Sequence, residues 1–186
     1  AAARLVANPG CYPTAILLGM LPAVAAGWHS GAPVIANALS GVSGAGRSPK
    51  LATHFVECSN NVAPYRVGQT HVHLGEIEQT LDAFAATATA PRMAGAVIFN
   101  PHLVPMARGI LASLCVPLAK PRSLDAVRAE YVRRYRACPF VRVLDGDALP
   151  ETRHVRGSNR CDIALRVVAD GTVLLVFSAI DNLIKG

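Results

Sequence analysis

The chain has 186 residues, of which 52% are hydrophobic and 16% are charged, and its formal net charge is +6. This composition predicts one folded domain with a sizeable core and excludes a disordered chain. No apolar run reaches the roughly 18 residues of a membrane span, and no signal-peptide pattern opens the sequence. The cations form no polybasic run and do not alternate with aromatic residues, so we expect no nucleic-acid partner; diffuse positive charge suits a small anionic substrate.

The five cysteines are widely spaced, and no two of them form a C-x-x-C pair. Neither a disulfide framework nor a zinc knuckle is therefore indicated. Free thiols predict a reducing compartment, most simply the cytoplasm.

The first half of the chain predicts two helices and two strands. Pro13 suits a first helical turn, and apolar residues then recur at helical spacing over residues 12–26, with Gly27 after them. Residues 33–40 read as a buried strand and residues 41–50 as a glycine- and serine-rich loop. Residues 64–73 predict a strand with a turn near Gly68, and Gly75 is expected to open the second helix.

The second half predicts strands at residues 95–105 and 109–118, a helix capped by Ser123, a short strand at 140–144 and a hairpin that turns at Asp170-Gly171. Adjacent strands with short connections favour antiparallel pairing. The sequence therefore predicts an α+β fold: a mixed, largely antiparallel sheet with helices packed on one face.

Cys11 lies in a Pro-Gly turn where the first helix begins. The unpaired amides and dipole of a helix N-terminus lower the pKa of a thiol and can hold a tetrahedral oxyanion. The flanking Pro9, Gly10 and Pro13 restrict the backbone around the sulfur. A nucleophile is one interpretation, and a small buried side chain in a turn is the other.

His71 and His73 are two residues apart on the strand predicted for this segment, where both would face one side. The pair could bind a metal, supply an acid/base group for Cys11, or face solvent at a strand end. We favour the acid/base role over the metal, because no third ligand stands at a fixed local spacing.

Two further segments carry candidate binding residues. The loop SGVSGAGRSPK combines glycines, serines and Arg47, and such loops can bring backbone amides to a phosphate, although neither a Walker motif nor a dinucleotide fingerprint is present. Arg108, between two predicted strands, could bind a carboxylate through its two-pronged guanidinium group, or could be a surface residue at a turn.

Six segments together resemble the N-acetyl-γ-glutamyl-phosphate reductase family of arginine biosynthesis: ANPGCYPTAILLGMLP, SGVSGAGR, HVHLGEIEQ, NPHLVPMARGIL, GSNRCDI and SAIDNLIKG. The resemblance runs from Asn8 to Gly186. Related enzymes of lysine biosynthesis, which act on a carrier-bound substrate, look similar, as do aspartate-semialdehyde dehydrogenase and glyceraldehyde-3-phosphate dehydrogenase.

The resemblance implies a fold like the C-terminal domain of glyceraldehyde-3-phosphate dehydrogenase. It implies that residues 1–186 are a single catalytic and dimerisation domain without the flanking Rossmann domain. Such a domain is expected to fold but not to turn over substrate alone. It also implies NADP as cofactor, an acyl-phosphate substrate and a homodimer or homotetramer. Cys11 would be the nucleophile and His71 or His73 the acid/base group, with His71 favoured. The resemblance further assigns Ser43, Gly44 and Gly46 to the cofactor, and Arg47, Tyr65, Glu76 and Arg108 to the substrate.

The sequence departs from the family pattern at three positions. Asn37 and Leu39 stand where the family usually has Asp and Lys, and Val72 stands where it has Arg. Leu39 removes a cation near the site, which bears on local charge balance.

The reaction implied is covalent catalysis: the Cys11 thiolate attacks the acyl phosphate, phosphate leaves, and NADPH reduces the thioester to N-acetyl-glutamate semialdehyde. Three other interpretations remain. They are a cofactor-free Cys-His hydrolase or transferase, a non-catalytic interface domain, and a zinc-binding domain.

Overall fold

A computed structural model describes residues 4–186. It contains seven strands, β1 Val34–Gly41, β2 Ala63–Pro64, β3 Val97–Val104, β4 Ile110–Pro117, β5 Val141–Val143, β6 Cys161–Val168 and β7 Val173–Ile180. The α-helices are α1 Cys11–Ala25, α2 Phe55–Cys58, α3 His73–Thr87, α4 Leu124–Tyr135 and α5 Thr152–Val155. None of the helices in this part of the chain has the length and apolar character needed to cross a bilayer.

The strands form one sheet in the order β2-β3-β1-β4-β7-β6-β5. Four neighbouring pairs are antiparallel, and β1 with β3 and β5 with β6 are parallel. The mixed, largely antiparallel sheet is thus confirmed. One detail differs: β3 and β4 follow each other in sequence but do not pair, because β1 lies between them and hydrogen-bonds to both.

Helix α1 lies against the centre of the sheet and is buried on almost every side. Ile16 and Met20 are fully buried, and burying side chains of this size contributes roughly 1.5–3 kcal/mol each. The helix approaches the sheet closely at Gly19, where an added Cβ would lie 2.7 Å from Leu114 Cδ1. The Tyr131 hydroxyl of α4 also donates to the Gly19 carbonyl, at 2.7 Å. The middle of the helix that begins at Cys11 is therefore held by the core.

The predicted strand over residues 64–73 is wrong. Only Ala63–Pro64 pairs, as β2, and the segment then turns. Arg66, Gly68 and Gln69 all have positive φ, at 47°, 69° and 68°, which extended strands do not tolerate. His71 and His73 are therefore not strand neighbours: His71 precedes α3, and α3 begins at His73 instead of Gly75.

The C-terminal half agrees with the sequence prediction. Ser123 Oγ accepts a hydrogen bond from the Ala126 amide and caps α4. Strands β6 and β7 pair through Val168 and Val173. Their connection therefore has four residues, 169–172, and Ala169, Asp170 and Gly171 all adopt positive φ. The hairpin is confirmed, with a longer turn than the two-residue one expected at Asp170-Gly171.

The face of the sheet opposite α1 carries exposed apolar side chains. Ile35 of β1 pairs directly with Ile98 of β3, and the two side chains are 39% and 43% exposed. In the neighbouring strands the same row continues through Cys115 and Leu175. We call the row Ile98, Ile35, Cys115 and Leu175 the open-face row. On the helix-covered side the buried partners, such as Val34 and Val97, are fully inaccessible.

Candidate active site

Cys11 is the first residue of α1 and lies in a cleft of about 350 Å³. The cleft is lined by the start of α1, by the end of β1 with the segment after it, by the segment between β2 and α3 with the first residue of α3, and by one residue of β3. Its lining consists of Cys11, Tyr12, Ser40, Gly44, Ala45, Lys50, Ala52, Thr53, Tyr65, Arg66, His71, Val72, His73 and Leu103.

The Cys11 thiol experiences two opposing influences. Burial raises its pKa, whereas the backbone amides of Tyr12 and of Cys11 itself lower it, and the Glu76 carboxylate adds a smaller upward contribution. The net change is upward. The amides of the helix start act on the sulfur in the expected direction, but the loss of hydration at a half-buried thiol outweighs them.

Helix α3 is joined to the Cys11 turn through two side chains. The Gly10 amide donates to both carboxylate oxygens of Glu76, at 3.2 and 3.4 Å. The imidazole of His73 lies against Gly10, where an added Cβ would be 2.6 Å from His73 Nε2. Gly10 leaves the space that the imidazole fills, so the residue before the sulfur, His73 and Glu76 form one packed unit.

His71 has a different environment. Its side chain is buried, and Nδ1 accepts a hydrogen bond from the His73 amide at 3.1 Å. Its carbonyl accepts from the Leu74 amide at 3.0 Å. Burial is the main reason that its pKa falls to about 4, and the charges of His73 and Arg66 add to this. At neutral pH His71 is an uncharged residue that caps the start of α3.

His73 is less buried than His71, and its pKa is lowered by burial, while Glu76 opposes that change and Arg66 adds to it. The Nδ1 atom is buried without a hydrogen-bond partner among residues 4–186. Both histidines are therefore neutral at pH 7, which leaves each with a nitrogen able to accept a proton.

Aromatic rings close one side of the cleft. The Tyr65 hydroxyl donates to the Tyr12 hydroxyl at 2.8 Å. The His71 ring packs edge-on against Tyr12 and Phe99, with centroid distances of 5.4 and 5.2 Å. Burial raises the pKa of Tyr65, so its hydroxyl is protonated and offers a polar contact at the cleft. Tyr12 follows Cys11 directly, yet the sequence analysis did not single it out.

The glycine- and serine-rich segment after β1 contains a short 3₁₀ helix, Val42–Ala45. Its Gly44 lines the cleft, and Ser43 Oγ accepts a hydrogen bond from Asn182 Nδ2 at 3.2 Å. Gly46 and Arg47, which were also expected at the site, are exposed and are not among the described residues that line the cleft.

Arg108 lies in the turn between β3 and β4 and pairs with the buried carboxylate of Asp181, 3.6 Å away. Asn182 Oδ1 accepts from the Gly109 amide at 2.8 Å, so the C-terminal segment holds this turn beside the Ser43 segment. Arg108 is not among the described residues that line the Cys11 cleft. Asp181 and Asn182 stand in a motif quoted above for the resemblance, SAIDNLIKG, but their side-chain roles were not predicted.

No three His, Cys, Asp or Glu side chains within residues 4–186 meet in an arrangement that could bind a metal ion. His71 and His73 have rings 4.9 Å apart at their centroids, but their described hydrogen bonds and packing involve the α3 start, Gly10 and the aromatic cluster. The geometry therefore favours proton chemistry at a thiol over metal chemistry at this pair.

A family model described as the semialdehyde dehydrogenase dimerisation domain matches residues 11–182. The chain belongs to this family. N-acetyl-gamma-glutamyl-phosphate reductase from Halorhodospira halophila is 49% identical over 190 residues, covering 99% of this chain and 51% of that protein. The enzyme of the same name from Moorella thermoacetica is 44% identical over 184 residues, covering 99% and 51%. This member of the family thus spans about half the length of the curated relatives it matches.

Solved structures show the family fold. Aspartate semialdehyde dehydrogenase II from Vibrio cholerae, in complex with ASA, superposes with a TM-score of 0.74 at 15% identity, over 97% of this chain and 58% of that one. A probable aspartate-semialdehyde dehydrogenase from Pseudomonas aeruginosa gives 0.70 at 17% identity, over 98% and 59%. At such identities the likeness concerns the fold alone, and it confirms the predicted fold class.

Proposed function

We propose that this chain is the catalytic and subunit-association part of an NADPH-dependent N-acetyl-γ-glutamyl-phosphate reductase of arginine biosynthesis. The observation that carries the proposal is the placement of Cys11 at a helix start inside a cleft, with a neutral imidazole packed on the preceding residue. The names of the curated relatives support the choice of acyl phosphate as substrate. They also favour this substrate over a carrier-bound one.

In the acylation step, the Cys11 sulfur attacks the acyl carbonyl carbon and a new C–S bond forms. The thiol proton moves to a neutral imidazole, and the amides at the start of α1 stabilise the negative charge on the carbonyl oxygen. The C–O bond to phosphate then breaks with its electron pair on the phosphate oxygen. The product is a thioester on Cys11, and no oxidation or reduction has yet occurred.

His73 is the imidazole that we assign to this proton transfer. Its ring contacts Gly10, directly before the nucleophile, whereas His71 uses Nδ1 to cap α3. The thiol pKa is raised and the His73 pKa is lowered. The resting pair is therefore a neutral thiol and a neutral imidazole, and the proton is transferred as the sulfur attacks. This assignment replaces the sequence-based preference for His71. His71 and Glu76 then act as positioning residues.

A nicotinamide cofactor, when bound, supplies the hydride that reduces the thioester to the aldehyde. The residues that we assign to its reactive ring are Gly44, which lines the cleft, and the adjacent Ser43. Gly44 suits this role because it leaves space that a side chain would take: an added Cβ would lie 3.2 Å from Asn182 Nδ2 and 3.4 Å from Ser40 Oγ. The choice of NADP over NAD rests on the family resemblance.

The acylation half-reaction tests the proposal on this chain alone. N-acetyl-γ-glutamyl phosphate, generated in place by a kinase and ATP, should transfer its acyl group to Cys11 and release one equivalent of phosphate per chain. Peptide mass spectrometry should find the adduct on Cys11, and Cys11→Ser should release no phosphate. Cys138→Ser, which changes an exposed thiol elsewhere, is the matched control and should leave the burst intact.

The same experiment distinguishes the reductase from the cofactor-free hydrolase. A cofactor-free Cys-His hydrolase would hydrolyse the thioester, so that phosphate release continued beyond one equivalent with no nicotinamide present. Failure of the intact chain to acylate at all would contradict both enzymatic interpretations and leave the interface-domain one.

We further propose that two copies associate through the open face of the sheet. The exposed Ile35 and Ile98 and the description of the family model support a homo-oligomer built there. The free thiols support a cytoplasmic setting.

Ile35→Lys should shift the chain towards monomer in sedimentation velocity, because it places a charge in the open-face row. Val132→Lys, at a similarly exposed apolar position on α4 (46% against 39%), should leave the sedimentation coefficient unchanged. Equal behaviour of the two variants would place the interface elsewhere.

A further inference from the structure

The charged lining of the Cys11 cleft is entirely positive. Lys50 and Arg66 both border it, and no aspartate or glutamate is among the described lining residues. The two cations come from different parts of the chain, Lys50 from the segment after β1 and Arg66 from the segment after β2. The cleft is therefore suited to an anion next to the thiol.

Lys50 and Arg66 have no ion-pair partner among residues 4–186, unlike Arg108, which pairs with Asp181. Neither side chain donates a described hydrogen bond. Cations without protein partners at a concave site are available for a ligand, whereas paired cations are already neutralised.

The backbone at Arg66 is held in an unusual conformation. Its φ of 47° lies in the left-handed region. This conformation is unfavourable for a residue that carries a Cβ atom, and it is often found at binding sites. The flanking residues are tied to β3: the Tyr65 amide donates to the Pro101 carbonyl at 3.1 Å, and Gln69 Nε2 donates to the Val97 carbonyl at 3.0 Å. The anchored neighbours hold Arg66 at the cleft.

The positive charge of Arg66 acts on both histidines of the cleft. It contributes to lowering the pKa values of both His71 and His73. Arg66 thus lies close enough to the proposed proton acceptor to influence groups that react there.

We propose that Arg66, assisted by Lys50, binds the phosphate group of the acyl-phosphate substrate and stabilises it as the leaving group. The inference rests on the proposed function. Arg66 takes the anion-binding role that was expected for Arg47 and Arg108, because Arg47 is not among the described residues that line the cleft and Arg108 is paired with Asp181. The planar guanidinium group matches two phosphate oxygens, and the lysine adds a second positive charge.

Alkylation of Cys11 by an anionic and by a neutral reagent tests the proposal on the intact chain. Iodoacetate and iodoacetamide differ mainly in charge, so the ratio of their rates at Cys11, read by peptide mass spectrometry, reports the local field. Arg66→Gln should lower this ratio about tenfold, as expected for one unit charge a few ångströms away in a partly hydrated cleft. Inorganic phosphate should protect Cys11 in the unaltered chain and not in Arg66→Gln. Lys50→Gln should show a smaller change of the same sign.

Arg136→Gln is the matched control, because it removes the same charge from an exposed position at the end of α4 and should leave the ratio unchanged. A fall in both alkylation rates with an unchanged ratio in Arg66→Gln would overturn the anion site and point to an altered thiol. Protection by N-acetylglutamate but not by inorganic phosphate would also overturn it, since the group bound would be a carboxylate. Absence of acylation by the acyl phosphate, with the ratio responding as expected, would instead overturn the proposed function. Circular dichroism of each variant confirms that it is folded.

Discussion

Replacing His73 by glutamine should slow the acylation of Cys11 by about 10²- to 10⁴-fold, which is the usual contribution of general acid–base catalysis. The thiol has a raised pKa and needs a base during the attack, and His73 packs on the residue before it. In the unaltered chain the rate should fall as the pH drops through the His73 pKa, which burial places below its ordinary value. Single-turnover phosphate release across the pH range measures both effects. In His73→Gln this acid limb should disappear, and the rate should increase only as the thiol itself ionises.

His71→Asn is the matched comparison for His73→Gln. An asparagine oxygen can accept the hydrogen bond that His71 Nδ1 receives from the His73 amide, so α3 should keep its start. The acid limb should persist in this variant. The opposite result would be a fall in rate with a midpoint near the His71 pKa of about 4, which disappears in His71→Asn. That result would make His71 the base and contradict the assignment of His73.

The second large effect on the acylation rate is expected at Gly10, the residue before the nucleophile. Gly10→Ala should reduce the acylation rate by about 10²-fold, the loss that a displacement of roughly 1 Å in a catalytic group can produce. The backbone at Gly10 has φ −64° and ψ 160°, which alanine adopts freely. The new methyl group would instead lie 2.6 Å from His73 Nε2 and 2.9 Å from its two ring neighbours. Because those atoms are the far edge of a rotatable ring, the ring should move and the fold should remain.

Gly75→Ala is the control for this substitution. Gly75 lies in the first turn of α3, and an added Cβ there meets no atom within 4 Å. Alanine should keep the acylation rate and raise the free energy of unfolding by up to about 1 kcal/mol, because it is the better helix former. Thermal unfolding followed by circular dichroism separates stability from reactivity. An unaltered acylation rate in Gly10→Ala would mean that the packing of His73 on Gly10 has no part in catalysis.

Local patterns in the sequence predicted the elements whose stability is local. Ser123 caps α4 as its side chain and position indicated. Helix α1 begins at Cys11, one residue before the predicted start, with Pro13 in its first turn. The strand patterns on either side of Asp170-Gly171 predicted the hairpin that β6 and β7 form. In each case the information lies within a few residues of the chain, in a capping hydroxyl, a fixed φ angle or a side-chain period.

The segment between β2 and α3 shows where such patterns fail. Residues 64–73 have the composition of a strand, but Arg66 and Gln69 adopt positive φ. The Tyr65 amide and the Gln69 side chain hydrogen-bond to β3, which is about 30 residues further along the chain. Patterns within a short stretch of sequence contain no information about these distant contacts. Because the segment turns and does not extend, His71 caps α3 and His73 packs on Gly10.

The sequence by itself determined the candidate nucleophile, the fold class and the family resemblance, since these depend on motifs that are contiguous in the chain. The tertiary structure decided the relations among the parts. It placed His73 and Glu76 on Gly10, paired Arg108 with Asp181, and brought Lys50 and Arg66 to one cleft. It also set the direction of the Cys11 pKa, because burial depends on everything that surrounds the thiol, whereas the helix start that opposes it was already visible in the sequence.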